Sequence, residues 1–248
     1  MDKYGLIGFP LGHSYSKNYF NEKFKNEHIN AHYDNYEISQ ISKLIEVLAS
    51  NPTLKGLGVT SPYKEKIVEY LDELSPEVRK IGACNSIKIQ NQKGSLILKG
   101  YNTDYIAFKN SIEPLLEPYH YGALILGTGG AAKAVHLALQ ELGLKTAFVS
   151  RYDRPGTVNY SRLRDEDLKA FNVIVNATPC GMYPNIAQFP NIPYDGIDNH
   201  TLMYDLIYNP DETMFLKKGR EHGAVTKNGL EMMLLQAFES WKIWTTND

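Results

Sequence analysis

"ALILGTGGAAKAV", residues 123–135, decides the fold. An apolar strand-like run, Ala123 to Leu126, gives way to a glycine-rich turn and then to a helix-forming stretch. Gly127, Gly129 and Ala132 fit the spacing G-x-G-x-x-G/A. In that spacing the first glycine permits a tight turn, the second lets backbone approach a pyrophosphate, and the small third residue lets helix pack on strand. The helix N-terminus then offers N–H donors and positive dipole to phosphates. Further strand-like runs follow in "TAFVSR" (146–151), "NVIVNATP" (172–179) and "LMYDLIYNP" (202–210). That order predicts a mononucleotide-binding βαβ unit extended into a Rossmann-type α/β sheet.

Upstream, strand signals in "YGLIGF" (4–9), "HYDNYEI" (32–38) and "GLGVT" (56–60) alternate with helix signals in "SKNYFNEKF" (16–24), "ISKLIEVLA" (41–49) and "PYKEKIVEYLDEL" (62–74). Such alternation predicts a second α/β unit with a mainly parallel sheet. For the helix expected over 62–74, Ser61 reads as the N-cap and Pro62 as the first helical residue. Lys64 would then stand in the first turn, where the helix dipole disfavours a cation. "NSIKIQNQKGSLILKGYN" (85–102) reads as two strands about a turn, "DYIAFKNSIEPLL" (104–116) as a helix, and the Pro, Gly and Asn-rich 180–201 as a long loop. The last helix, within 229–244, carries an apolar stripe at Leu230, Met233, Leu234, Ala237, Trp241 and Trp244.

Composition narrows the class of partner. The 248 residues are 43% apolar and 22% charged with a net charge of -2, so a folded chain is expected and neither nucleic acid nor an anionic membrane surface is favoured. Cys84 and Cys180 have no CxxC or Cys/His ligand spacing, which argues against a disulfide framework or a metal site and fits a reducing compartment. No apolar run approaches the ~18 residues of a membrane span. A cytoplasmic protein is the expectation.

Polar residues then collect where open α/β sheets bind ligands, at the predicted C-terminal ends of strands. They are Ser14 and Ser16 in "HSYS", Thr60 and Lys64 in "VTSPYK", Asn85 and Ser86 in "ACNS", and Asn102, Thr103 and Asp104 in "YNTD". Hydroxyls, amides, one ammonium and one carboxylate suit a small polyhydroxylated molecule. Singly, Ser16, Ser61 and Thr103 also read as caps, Asn85 as a turn residue, and Lys64 as a solvated charge beside Glu65. In the nucleotide unit, Ser150 and Arg151 occupy the position where an NAD enzyme places Asp or Glu, and Arg154 follows. Two guanidiniums suit a 2′-phosphate, which favours NADP over NAD. The same stretch also reads as a solvated turn in which Asp153 pairs with an arginine.

Nine ordered motifs, "GFPLGHSYS", "GVTSPYKEK", "GACNS", "GYNTD", "LGTGGAAKAV", "SR", "VNATPCGM", "YDLIYNP" and "NGLEMMLLQA", span nearly the whole chain and resemble the shikimate dehydrogenase family. The resemblance implies reversible NADPH-dependent reduction of 3-dehydroshikimate to shikimate, a step of chorismate and aromatic amino acid biosynthesis. It implies that Ser14 and Ser16 bind the substrate carboxylate, that Thr60 and Asn85 contact ring hydroxyls, and that Tyr208 and Gln236 add substrate contacts. Lys64 and Asp104 match the catalytic dyad. Gly127, Thr128, Gly129, Gly130, Ala131, Ser150, Arg151, Arg154, Thr178, Leu206 and Gly229 fall at NADP-binding positions. The implied domains are 1–103 plus 229–248 for substrate and 104–228 for NADP, in a monomer or homodimer without metal, nucleic acid or membrane. Three positions depart from the family pattern: Lys17 and Gly58 stand where proline and asparagine are usual, and Ala107 where glycine is usual. The alternatives are an NAD-linked quinate/shikimate dehydrogenase and a non-catalytic NADP-binding regulator on the same scaffold.

Overall fold

The computed structural model describes residues 1–12, 15–92 and 94–246. It divides into two compact units, Met1–Thr103 with Ala237–Asp248, and Asp104–Gln236.

The first unit is built from β1 (Asp2–Gly8), α1 (Tyr15–Asn26), β2 (Ala31–Glu37), α2 (Leu44–Ser50), β3 (Leu54–Val59), β4 (Glu73–Leu74), α3 (Pro76–Ile81), β5 (Ser86–Gln92) and β6 (Ser95–Tyr101). Its sheet has the order β2-β1-β3-β5-β6-β4. Pairing is parallel for β1 with β2 and β3 and for β4 with β6, and antiparallel through β3-β5-β6. One face packs Ile7, Leu57, Val59, Ile67 and Ile87 into an aliphatic core. The other carries an aromatic layer of Tyr4, Phe20, Phe24, Tyr33 and Trp244. A Cβ at Gly56 would run into the Trp244 ring, so this strand position is glycine because the indole lies directly on the backbone.

The helix expected over 62–74 does not form. Residues 61–65 are turn, Lys66–Tyr70 is a single 3₁₀ stretch, and Glu73–Leu74 is the short strand β4. The Lys64 carbonyl accepts from the Cys84 N–H at 2.7 Å, while the Val68 N–H turns to Glu65. An α-helix would have joined the Lys64 carbonyl to that Val68 donor, so the long-range bond displaces the helical one. Lys64 therefore stands in a turn and not at the head of an α-helix.

The second unit runs from α4 (Thr103–Ile112) through β7 (Gly122–Leu126), α5 (Gly130–Glu141), β8 (Lys145–Ser150), β9 (Thr157–Asn159), α6 (Asp165–Ala170), β10 (Val173–Asn176), β11 (Leu202–Asp205), α7 (Met214–Glu221) and β12 (Val225–Lys227) into the first part of α8 (Leu230–Thr245), whose remainder from Ala237 belongs to the first unit. Its sheet has the order β12-β11-β10-β7-β8-β9 and every pairing is parallel. That is the doubly wound order, with the direction of winding switching between β7 and β10. Both faces are buried: Ala123 and Ile125 face one core, Leu124 and Leu126 the other. Burial on both sides accounts for the unbroken apolar run over 123–126.

The apolar stripe expected on α8 is buried only in part, at Met233, Ala237 and Trp244, with Trp241 packed beside them. Leu230 and Leu234 are exposed, and Met232 takes a place in the second unit's core, with Ala237 and Trp244 in the first unit's aromatic layer. Met233, Ala237, Ser240 and Trp244 are buried along one helical face, and Met232, to the side of that face, packs into the second unit's core.

Candidate active site

In the first unit, β1 lies between β2 and β3, so the winding switches between the C-terminal ends of β1 and β3. The loops that leave those ends are tied together. Thr60 N–H donates to the Ile7 carbonyl at 2.9 Å, and Phe9 N–H to the Ser61 carbonyl at 3.1 Å. Leu11 N–H donates to the Glu37 carboxylate at 2.7 Å, tying the loop after β1 to the end of β2. Ser16 lies inside the first turn of α1, half-buried, and Ser14 lies outside the described residues. Thr60 and Lys64 follow β3, both half-buried.

Asn85 connects these loops to the rest of the unit. The Cys84–Lys64 backbone bond brings the turn carrying Lys64 beside the residue preceding Asn85. The Asn85 side chain donates to Thr103 Oγ1 at 2.9 Å and accepts from Thr103 N–H at 2.6 Å. Thr103 Oγ1 also meets Ser240 Oγ at 3.1 Å. The segments carrying Thr60, Lys64 and Asn85 thereby meet where β3 ends and β5 begins, and Asn85 fixes the residue that starts α4. Asp104, next in the chain, is buried in the first turn of α4.

The second unit presents a separate half-site around the β7–β10 switch. Gly127 has φ +113, a left-handed conformation that requires glycine, and a Cβ there would lie 3.1 Å from both the Ala177 carbonyl and Thr178 Cγ2. Gly129 faces open space: an added Cβ would meet nothing within 4 Å. It is the N-cap of α5 and supplies no side-chain cap, leaving the first N–H groups of a twelve-residue helix available to an anion. Ala132 is buried at the helix–sheet contact.

Ser150 closes β8 and accepts from the Tyr152 N–H at 3.1 Å. The Arg151 and Arg154 guanidiniums each lie 5.9 Å from the Tyr152 ring, and Arg154 also donates to Thr128 Oγ1 at 3.4 Å. Asp153 pairs with Arg162 at 3.4 Å, so the carboxylate of this turn is engaged by a different arginine. Among the described residues neither Arg151 nor Arg154 has a carboxylate partner. Two carboxylate-free guanidiniums beside an uncapped helix N-terminus fit a dinucleotide carrying an extra phosphate.

Thr178, Leu206 and Gly229 meet through a network the sequence did not announce. Asn176, last in β10, accepts from Thr178 Oγ1 at 2.6 Å and donates to Asp205 Oδ1 at 3.0 Å. Asp205, last in β11, accepts from Ile207 N–H at 3.0 Å and Thr213 Oγ1 at 2.6 Å. Burial pushes its carboxyl up to about 6, against the pull of those donors. Gly229 abuts the Leu206 carbonyl so closely that no side chain fits there. The available signal was a polar residue closing each apolar run, in "VIVN" and "LMYD". Tyr208 and Gln236 are half-buried, and Gln236 Nε2 donates to the Met233 carbonyl at 3.1 Å. No group of side chains able to hold a metal occurs among the described residues.

Fold and half-sites define a two-unit α/β chain whose second unit has the dinucleotide-binding architecture. Residues 6–87 match the family model described as the shikimate dehydrogenase substrate binding domain. The chain is 38% identical to the shikimate dehydrogenase (NADP(+)) of Clostridium beijerinckii, over 98% of this chain and 92% of that one. It superposes on the crystal structure of shikimate dehydrogenase 1 from Peptoclostridium difficile with a TM-score of 0.83 at 37% identity, covering 100% of this chain and 94% of that chain. Against the Thermus thermophilus shikimate 5-dehydrogenase in complex with NADP(H) and shikimate, the TM-score is 0.84 at 27% identity, covering 99% and 93%. The chain belongs to the shikimate dehydrogenase family.

Proposed function

We propose that this protein catalyses the reversible NADPH-dependent reduction of 3-dehydroshikimate to shikimate. Family membership over almost the entire chain carries this reading, and the geometry within each unit supports it. Residues 1–103 with 229–248 are assigned to substrate and 104–228 to NADP.

Ser14 and Ser16 hold the substrate carboxylate, Thr60 and Asn85 the ring hydroxyls, and Tyr208 from the nucleotide part and Gln236 from the returning helix complete the set. In the nucleotide part, Gly127 to Ala131 admit the pyrophosphate against α5, while Ser150, Arg151 and Arg154 take the 2′-phosphate. Thr178, Leu206 and Gly229 shape the remaining wall. When bound, the cofactor supplies or accepts the hydride. Lys64 Nζ exchanges the proton of the reacting hydroxyl, and the Asp104 carboxylate orients that ammonium. The backbone bond from the Cys84 N–H to the Lys64 carbonyl, which ties the turn carrying Lys64 to the residue before Asn85, supports this role. We further assign the protein to the cytoplasm as a monomer or homodimer that acts without nucleic acid or membrane.

The test is cofactor turnover by purified protein with shikimate and with quinate, each against NADP and NAD. Shikimate with NADP is expected to be turned over fastest. Absence of turnover with shikimate overturns the reading. Lys64→Ala is expected to lower kcat by about 10²–10⁴-fold with NADP affinity unchanged, and near-normal kcat would remove the lysine from its role.

A further inference from the structure

We infer that Asn176 is a positioning residue for the cofactor: it commits the Thr178 hydroxyl proton and so presents Thr178 Oγ1 to the dinucleotide purely as a hydrogen-bond acceptor. This rests on the NADP reading above, in which Thr178 lies on the cofactor wall.

Asn176 ends β10, in register with Leu126 of β7 and Asp205 of β11, and is fully buried. Its amide admits one orientation. The Cys180 carbonyl, which can only accept, lies 3.2 Å from Nδ2, and the Thr178 N–H, which can only donate, lies 3.1 Å from Oδ1. Nδ2 also donates to Asp205 Oδ1 at 3.0 Å. Thr178 Oγ1 meets the amide at its oxygen, 2.6 Å away, so the threonine is the donor in that bond.

The rest of the hydroxyl follows by counting. A threonine oxygen has one proton and two lone pairs. The proton goes to Asn176, and one lone pair takes the Cys180 N–H at 3.2 Å. One lone pair is left, on a half-buried side chain whose methyl stands against the glycine-rich turn, where a Cβ on Gly127 would lie 3.1 Å from Thr178 Cγ2. With its proton committed, the oxygen has nothing to donate to a phosphate and accepts only from an O–H or N–H. The 2′-phosphate is assigned above to the end of β8, which lies across β7 from β10. The donor that Thr178 meets therefore belongs to the opposite end of the cofactor, as a ribose hydroxyl or the carboxamide N–H of the nicotinamide riboside.

Adenosine 2′,5′-bisphosphate carries the adenosine end of NADP without the nicotinamide riboside, so titration calorimetry of the purified chain with each ligand separates the two ends. Asn176→Ala and Thr178→Val are each expected to raise the Kd for NADP about five- to tenfold, the size of one lost hydrogen bond, and to leave the Kd for the bisphosphate within about twofold. The double variant is expected to bind NADP no more weakly than either single one, because Asn176 acts through Thr178. Thr178→Ser keeps the hydroxyl and is expected to bind NADP as the unsubstituted chain does. With the 3-acetylpyridine analogue of NADP, which lacks the carboxamide N–H, an effect that persists assigns the ribose hydroxyl and one that vanishes assigns the carboxamide. Unaltered NADP affinity in Thr178→Val overturns the proposal, as does an Asn176→Ala effect that is undiminished when Thr178 is already valine. An equal loss of both ligands in Asn176→Ala makes the residue a support of the sheet alone and overturns its positioning role. An unsubstituted chain that binds neither ligand overturns the NADP reading, and this proposal with it.

Discussion

The proposed choice of NADP over NAD rests, residue by residue, on Arg151 and Arg154. The turn is exposed and its Asp153 does pair with an arginine, but that arginine is Arg162. The two arginines instead flank Tyr152, whose ring offers a cation–π face that costs them no charge. They remain electrostatically available to a dianionic 2′-phosphate. Replacing both by alanine removes two charge-assisted contacts worth ~1.5–3 kcal/mol each. The expected outcome is a KM for NADP raised at least about tenfold, with KM for NAD nearly constant, read from initial rates with each cofactor at saturating shikimate. An equal change for both would separate these arginines from the phosphate.

At the level of elements, glycines on strands and turns play opposite parts. Gly56 in β3 lies under the Trp244 indole, and a methyl there meets a rigid, fully packed ring. Gly56→Ala is expected to destabilise by about 1–3 kcal/mol, the usual cost of overpacking a core, measured by urea unfolding. Gly129→Ala adds the same methyl into open space at the α5 N-cap and is expected to leave stability within about 1 kcal/mol while weakening NADP binding. The glycine-rich turn and the alternating strands were legible in the sequence because tight turns and buried parallel strands impose strict local residue choices. The missing helix at 62–74 was not, since its competitor is a single hydrogen bond from Cys84, twenty residues away. The stripe on α8 was legible at Met233, Ala237, Trp241 and Trp244, whereas Met232 was missed because periodicity assumes one core per helix and α8 contributes to two. Asn85 was legible as polar and strand-terminal, but its bidentate hold on Thr103 belongs to tertiary structure. Gly58 read only as a departure from pattern, because the Tyr33 hydroxyl that borders its space comes from β2.

Over the whole molecule, stability and the nucleotide half-site share one titrating group. Asp205 closes β11 and its network joins β10, Thr178 and the start of α7. Burial lifts its carboxyl from the ordinary 3.8 to about 6. The folded chain therefore binds this proton more tightly than the unfolded one. The resulting stabilisation is complete below about pH 4, declines as pH rises through about 6, and is absent above it, a span of ~3 kcal/mol. In Asp205→Asn the amide oxygen accepts from Asn176 and Ile207, and the amide nitrogen donates to Thr213, so the network survives without a charge. Relative to the unsubstituted chain, the variant is expected to gain about 1–2 kcal/mol between pH 5 and pH 8 in urea unfolding. A constant difference across that range would show that the carboxylate titrates as an ordinary one.

The aromatic layer of the first unit joins Tyr4 to Trp244, almost the full length of the chain apart. The second unit is contiguous, with all its strands between residues 122 and 227. On a ribosome, which ordinarily lets the N-terminal domain fold first, this order reverses. The β1–β3 region emerges early but waits for α8 to supply its indoles, so Tyr4, Phe20 and Phe24 stay uncovered while the later unit closes. Nascent chains stalled before residue 237 are therefore the species most in need of a chaperone, and the segment that needs protecting is the one made first.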